Sequence, residues 1–459
     1  MRYALRKHLI VGALLGLLVT LSSAGISPAI SSVSTLTAEA HHDRTLKLIN
    51  YFVERYHYRK TKLDDLLSSQ ILDRYLDALD VNRSYFLAND IEFFESYRYE
   101  LDDYLNAQDS EPLFGIFNVY RSRVLNRIDS ALDLLETPFN FSVDEVYPFD
   151  RTKAPWAVDS ADLDDLWRRR VKNDYLVLKL EGKTHSEIAK TLKDRYQQQK
   201  RRISQISSQD VFQIIVNAYM SAIEPHTGYF SPRATENFKI RMSLSLEGIG
   251  AVLQAQNEFT VVQRVVPGGP AEFEGSLRAG DRIIGVGQGD TESVVDVIGW
   301  RLDDVVDLIR GPKGSIVRLQ IRPDPKTGNS ESRILALTRD EIKLEEQAAQ
   351  SSLLAVRDTE QVRRIGVIDI PTFYVDFDAR SRGDADYRST TRDVGRLITE
   401  LESEGIDGLI IDLRGNGGGA LAEATALTGL FIDSGPVVQV RDARGRTRVN
   451  RDPSDDLAY

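Results

Sequence analysis

Two glycine-bearing stretches carry residue types and spacings that could do chemistry. In Leu409-Ile410-Ile411-Asp412-Leu413-Arg414-Gly415-Asn416-Gly417-Gly418-Gly419-Ala420 an apolar strand runs straight into glycines and then into a helix. Free N–H groups at such a helix start, backed by the helix dipole, stabilise negative charge. Three chemistries use that arrangement. Gly415, Gly417 and Ala420 fit the G-x-G-x-x-A count of a dinucleotide site. That fingerprint opens a βαβ unit with an acidic residue ending a second strand about 20 positions on. Asp433 falls at that distance, but in a turn after the helix. A phosphate loop is excluded, because no Gly-Lys-Ser/Thr follows. The third chemistry is an oxyanion hole, whose donors face the charge that develops on an acyl carbonyl under attack.

The second stretch is Ser245-Leu246-Glu247-Gly248-Ile249-Gly250. Glycines at 248 and 250 let successive N–H groups converge into a nest for a carboxylate. A strand edge beside that nest can accept an extended peptide as an added strand. Leu302, Val306 and Ile309 fall at i, i+4 and i+7, one stripe of a neighbouring helix. Leu302 and Val306 are candidates to line a pocket for an apolar terminal side chain, whereas Ile309 reads as core.

A nucleophile is harder to find. The sequence holds neither a G-x-S-x-G elbow nor an S-x-x-K pair. With no cysteine it has no thiol nucleophile and no thiolate metal site. The six histidines are scattered; His41 and His42 adjoin, at what reads as a frayed chain start. No metal or other cofactor is expected. His226 reads as a turn residue, and Asp412 with Arg414 as a buried pair.

These stretches need elements to position them. Residues 42 to 235 read as helical, with apolar positions at helical spacing in Leu63, Leu66, Leu67, Ile71 and Leu72. Asp80 to Asn82 and Asn89-Asp90 read as turns and caps. Near residue 243 the texture turns to β, with strands over Phe259–Val266, Ile283–Val286 and Val317–Ile321 and a short amphipathic helix over Leu302–Arg310. From about 345, Ile365–Ile370, Gly408–Leu413 and Val437–Val440 read as strands. Helices over Tyr387–Glu404 and Ala420–Phe431 alternate with them, which predicts a parallel α/β layer that stops unfinished.

A formal charge of −11 over 459 residues argues against nucleic acid. Arg2, Arg6 and Lys7 followed by the uncharged apolar run Leu9–Leu21, with small residues at Ser22–Ala24 and Ala38-Glu39-Ala40, match a secretory leader. No later stretch reads as a stable membrane span; an uncleaved leader would instead leave the protein membrane-associated.

The ordered motifs resemble the C-terminal processing, or tail-specific, serine proteases. The resemblance rests on Glu224-Pro225-His226-Thr227-Gly228-Tyr229-Phe230, "GIGAVL" at 248–253, Val266-Pro267-Gly268-Gly269-Pro270-Ala271, "DVIGWRLDDVV" at 296–306 and "IDLRGNGGGAL" at 411–421. Glu224 stands where many members carry Asp. The likeness implies a multidomain α+β chain: a leader over 1–40, a helical N-terminal domain over 41–238, a PDZ domain over 239–340, and over 341–459 an incomplete α/β protease core of the crotonase-like or ClpP-like kind. It implies oxyanion-hole donors at Gly417 and Gly418. It also implies peptide contacts at Leu246, Gly248, Ile249, Gly250, Leu302 and Val306. The catalytic Ser–Lys dyad is expected beyond residue 459, which leaves this fragment inactive. Expected partners are periplasmic protein substrates with apolar C-termini and an envelope adaptor protein. The competing expectation is a secreted PDZ scaffold that holds tails without cutting them.

Overall fold

The computed structural model describes residues 34–290, 293–327, 331–357, 361–452 and 458–459. The basic start and apolar run of the expected leader lie outside the described residues. Helices α1 (Ala40–Tyr56), α2 (Asp65–Asp80), α3 (Ala88–Phe94) and α4 (Leu101–Asn106) lead into α5 (Glu111–Leu134). Then come α6 (Ser160–Leu180), α7 (His185–Ser204), α8 (Ser208–Ile223) and α9 (Pro232–Ser243). In α2 the Asp64 side chain caps the start, and Leu67, Ile71, Leu72, Tyr75, Leu76 and Leu79 make one buried stripe. That stripe packs on Phe212, Ile215, Val216 and Tyr219 of α8. A second cluster fills the space between α5, α6 and α7 around the fully buried Trp167.

Asp80 ends α2 as the expected turn residue. Its carboxylate accepts the N–H groups of Ser84, Tyr85 and Phe86 at 2.8, 2.8 and 3.0 Å. Burial pushes its pKa up, opposed by those three amides. One reading of the chain start differs from the structure. His42 is not frayed: it is fully buried and stacked on Phe212, with ring centroids 4.3 Å apart. Leu36 exchanges two hydrogen bonds with Asn118, and Leu36 and Ala38 pack on the helical core.

The second region is a sheet of strand order β2 (Ala251–Gln256), β3 (Phe259–Val265), β4 (Arg282–Gln288), β6 (Ile316–Arg322) and β7 (Arg333–Thr338), with β5 (Val295–Asp296) on β4. Helices α10 (Pro270–Glu274) and α11 (Leu302–Ile309) cover its core of Val262, Ile283, Val286, Val305, Val317, Leu319 and Ile321. The residues just after 243, where the texture turns to β, form two strands. The first, β1 (Ser245–Gly248), leaves the sheet and pairs antiparallel with β8 (Asp340–Lys343), so that ribbon carries the chain into and out of the region. Helix α11 is tied to the helical region: Arg233 of α9 pairs with Asp304 and Asp307, both at 2.7 Å, and Arg301 pairs with Asp210.

In the third region β10 (Val362–Asp369) pairs parallel with β11 (Gly408–Asp412) and antiparallel with β9 (Gln350–Arg357). Helix α12 (Phe377–Arg382) precedes α13 (Thr390–Ser403), whose Val394, Leu397, Ile398 and Leu401 pack on Ile368 and Ile370. Helix α14 (Leu421–Gly429) follows the glycine loop. The expected third parallel strand is absent from this sheet. Instead β12 (Gly435–Arg441) folds back on β13 (Thr447–Asp452) as a separate hairpin. Its turn explains why: Asp442 accepts the N–H groups of Arg444 and Arg446, and Gly445 is left-handed, which reverses the chain within five residues. A connection that short can only make an antiparallel pair.

Candidate functional site

The first cradle is built where β1 gives way to β2. The Ile249 carbonyl accepts from Ala271 N–H and the Gly250 carbonyl from Val266 N–H, both at 2.8 Å. Gly250 is left-handed, and a Cβ there would stand 2.9 Å from the Cα of Gly269, so the crossing requires glycine on both sides. With their carbonyls engaged inward, Ile249 and Gly250 present N–H groups that meet no protein acceptor among the described residues. Both residues are largely buried. An unpaired amide in such a place is costly, and it is relieved when a ligand oxygen arrives.

Beside the cradle, β2 is an outer strand of its sheet, with one edge unpaired. Helix α11 packs next to it, with Leu302 and Val306 half-buried and Val305 and Ile309 in the core. The sequence-nominated residues separate here. Gly248, Ile249 and Gly250 lie where β1 gives way to β2, and Leu302 and Val306 lie on α11, which packs on β2. The Ile249 side chain, only 3% exposed, belongs to the core beneath it. Leu246 sits on the β1–β8 ribbon with its Cδ1 3.2 Å from where a Cβ on Gly248 would stand, and it lines a junction groove of about 540 Å³ with Ile240, Arg310, Pro312 and Phe377.

The second cradle is the turn from β11 to α14. The segment 370–373 runs alongside it and stitches it down. Asn416 Nδ2 donates to the Ile370 carbonyl at 2.8 Å, Phe373 N–H to the Gly418 carbonyl at 2.8 Å, and Ala420 N–H to the Phe373 carbonyl at 2.9 Å. Gly415, Gly418 and Gly419 all adopt positive φ. The two nominated amides are engaged in this conformation: Gly417 N–H donates to the Pro371 carbonyl at 3.3 Å, and Gly418 N–H to Asn416 Oδ1 at 2.7 Å. Neither residue is buried. The next amide, that of Gly419, has no acceptor among the described residues.

Asp412 and Arg414 do pair, at 2.7 Å, but on the surface: the arginine side chain is 91% exposed. The guanidinium holds the Asp412 carboxyl down at about 2. The pair is therefore not buried as expected: Arg414 projects into solvent, while the Asp412 side chain is 17% exposed. His226 is exposed; what holds its turn is Glu224, which accepts from His226 N–H and from the Thr227 hydroxyl. Thr227 in turn meets His57 Nε2 at 2.8 Å, tying the end of α8 to the end of α1. Two residues that sequence reading passed over also reach these sites. Glu423 of α14 is buried and accepts from Ser389 and Thr391, and Arg310 stands beside Gly248. No local pattern marks either one.

The helical region, the β2 edge with its amide nest and the strand–glycine–helix turn follow one another along the chain. Three family models match in that order: the tail specific protease N-terminal domain over residues 49–233, the PDZ domain over 238–322 and peptidase family S41 over 364–458. In all three regions the chain is similar to the C-terminal processing, or tail-specific, proteases. It is 42% identical over 442 residues to a tail-specific protease of Haemophilus influenzae, covering 96% of this chain and 59% of that one. It is 30% identical over 227 residues to the carboxy-terminal processing protease CtpA of Bacillus subtilis, covering 49% of this chain and 42% of that one. The crystal structure of the PDZ domain of a Vibrio cholerae carboxy-terminal protease, in complex with peptide, is similar too. It is 55% identical, covers 22% of this chain and 99% of that one, and gives a TM-score of 0.21. The chain thus spans less than two thirds of the length of these first curated relatives. Among the described residues no helix is long and apolar enough to cross a membrane, and no group of side chains could hold a metal ion.

Proposed function

We propose that this chain is the front portion of a periplasmic serine endopeptidase that captures proteins by apolar C-terminal tails. The observation that supports it most is the pair of unsatisfied amides at Ile249 and Gly250, opening onto the free edge of β2. A terminal carboxylate supplies the missing acceptors, the tail adds as a strand to β2, and Leu302 and Val306 receive its last apolar side chain. Cleavage falls to a Ser–Lys dyad in sequence following Tyr459, with Gly417 and Gly418 as donors to the oxyanion. Because both amides have internal acceptors here, the loop must turn them away from Pro371 and Asn416 before they serve. The leader over 1–40, on this reading, directs export. An envelope adaptor would be a further partner.

The test is proteolysis by the full-length protein of one substrate presented with three tails. A tail ending in free apolar residues is expected to be cleaved, while the same tail amidated or ending in Asp-Asp is spared. Equal cleavage of all three would end the tail-recognition reading. The engaged state of the Gly417 and Gly418 amides favours a second reading, a PDZ scaffold that binds tails without cutting them. Selective binding with no cleavage by the full-length protein would establish it instead.

A further inference from the structure

The two ends of α11 are held by different parts of the chain. Its last turn is fixed by its own PDZ region. The buried Arg339 donates through Nε to the Ile309 carbonyl at 2.7 Å and through Nη2 to the Leu308 carbonyl at 3.0 Å. Gln288 Nε2 donates to the same Leu308 carbonyl at 2.7 Å. A cation at the last carbonyls of a helix is favoured by its dipole as well. The first turn has no such device, since Arg301 at the N-cap makes no side-chain cap. The helical region holds it instead. Arg233 of α9 bridges Asp304 and Asp307, both at 2.7 Å. Arg301 pairs with Asp210, which also closes the capping box of α8, and donates to the Gln205 carbonyl at 3.1 Å. One exposed ion pair contributes little, but these pairs grip successive turns of an eight-residue helix.

The two ends also lie at different points along β2. Arg310, just past the end of α11, has its Cγ 3.9 Å from where a Cβ on Gly248 would stand, at the cradle. Gly299, just before the start, donates its N–H to the Glu258 carbonyl at 2.7 Å, in the turn beyond the far end of β2. A tail with its carboxylate at Ile249 and Gly250 therefore runs from the end of α11 toward its start. Leu302 and Val306 stand about 6 Å apart along the helix axis, the span of about two residues of an extended peptide. Val306 then serves the terminal residue and Leu302 the residue two before it.

We infer that the helical region sets which residue is accepted two positions before the ligand's terminus, with Arg233 and Asp210 as positioning residues that hold the first turn of α11, and so Leu302, beside β2. This rests on the tail-binding reading above and adds determinants that lie outside the PDZ region. Selection of the terminal residue, by contrast, depends on the end of α11 that Arg339 fixes. Releasing Arg233 frees the start of α11 to move while its end stays in place.

The test is fluorescence anisotropy with the full chain and labelled free-acid octapeptides ending in Leu-Ala-Val, Gly-Ala-Val and Leu-Ala-Gly. Wild type should prefer the first over each of the others about tenfold, the factor for half-burying one large aliphatic side chain. Arg233→Met should cut the preference over Gly-Ala-Val to about threefold or less. It should change the preference over Leu-Ala-Gly by less than about twofold, and Arg233→Lys should keep most of both. Asp304→Asn with Asp307→Asn makes the same cut from α11 and should match Arg233→Met; all three together should lose no more than either. Equal loss at both positions, no loss at either, or additive losses overturn the assignment. Should the variants lower the thermal midpoint, wild type in rising sodium chloride carries the decision. The paired side chains are 35 to 43% exposed, so salt should screen them and erode the preference over Gly-Ala-Val alone. A preference that salt does not move overturns the assignment, as does a wild-type chain that selects only the terminal residue. A wild-type chain that selects at neither position refutes the tail-binding reading itself, a different result from failure of Arg233 alone.

Discussion

Gly419 lies directly on the backbone of Phe373: a Cβ at position 419 would stand 2.9 Å from the Phe373 Cα. Its φ of +143° is also one that side-chain-bearing residues rarely adopt. Two carbons cannot share that distance, so Gly419→Ala must part the seam between segment 370–373 and the glycine loop. We predict a loss of about 2 kcal/mol or more in urea unfolding. Gly417→Ala is the control, since nothing stands within 4 Å of its Cβ and its φ is not positive. A Gly419→Ala chain as stable as the Gly417→Ala chain would refute this account of the loop.

Glu423 anchors the helix that follows the same loop. Its carboxylate accepts from the Ser389 hydroxyl at 2.6 Å and from the Thr391 amide and hydroxyl, both at 3.0 Å, with the residue only 3% exposed. Because Ser389 caps α13, one side chain holds the starts of two helices together. Glu423→Ala leaves three donors without an acceptor and should cost about 3 kcal/mol. Glu423→Gln, which keeps one acceptor oxygen, should cost less. The check is chemical denaturation of both variants, and equal losses would show that packing, not the carboxylate, matters there.

His42 predicts a pH dependence. Burial lowers its pKa below the ordinary 6.5, chiefly through desolvation. Its Nδ1 accepts from Glu39 N–H at 3.0 Å, and Nε2 faces Gln209 Oε1 at 3.3 Å, a pattern the neutral ring satisfies. Between the folded pKa and 6.5 the unfolded chain holds more protons than the folded one. Stability is therefore full above 6.5 and falls as pH drops below it. The urea midpoint should decline between pH 7 and pH 5 in wild type, and the decline should be shallower in His42→Gln. Parallel slopes in the two proteins would rule His42 out as the cause.

Val306 and Ile309 lie on one helix, yet only one should report on peptide binding. Val306 is half-buried beside β2, whereas Ile309 is 3% exposed in the core. Val306→Asp should weaken binding of a free apolar tail about tenfold or more, with an unchanged thermal midpoint, since a buried carboxylate beside the ligand is costly. Ile249→Asp and Ile309→Asp should instead lower the midpoint. Normal peptide affinity in a folded Val306→Asp chain would move the pocket elsewhere.

Much of this arrangement is legible in local sequence. The stripe of α2, the short α11, the strands β3, β4 and β6, and the strand–glycine–helix turn at 408–421 each announce themselves by period or by glycine. Other features are not local. The β texture after 243 does not tell that β1 belongs with β8, nearly a hundred residues away, which places Leu246 in the junction groove. Val437–Val440 carries a correct strand signal without saying which strand is its partner. The burial of His42 depends on Phe212, which is distant in sequence.

By itself, then, the sequence determined element types, the order of a helical, a β-rich and an α/β region, and the two glycine-bearing turns. Those follow from periodicity, caps and backbone freedom, which act over a few residues. Tertiary structure alone decided which amides remain unsatisfied. Ile249 and Gly250 are left open because Ala271 and Val266 take their carbonyls, while Gly417 and Gly418 are engaged because Pro371 and Asn416 lie within reach. An amide's availability is set by what folding brings beside it, and that is a property of contacts between distant segments, not of the residues that carry the donor.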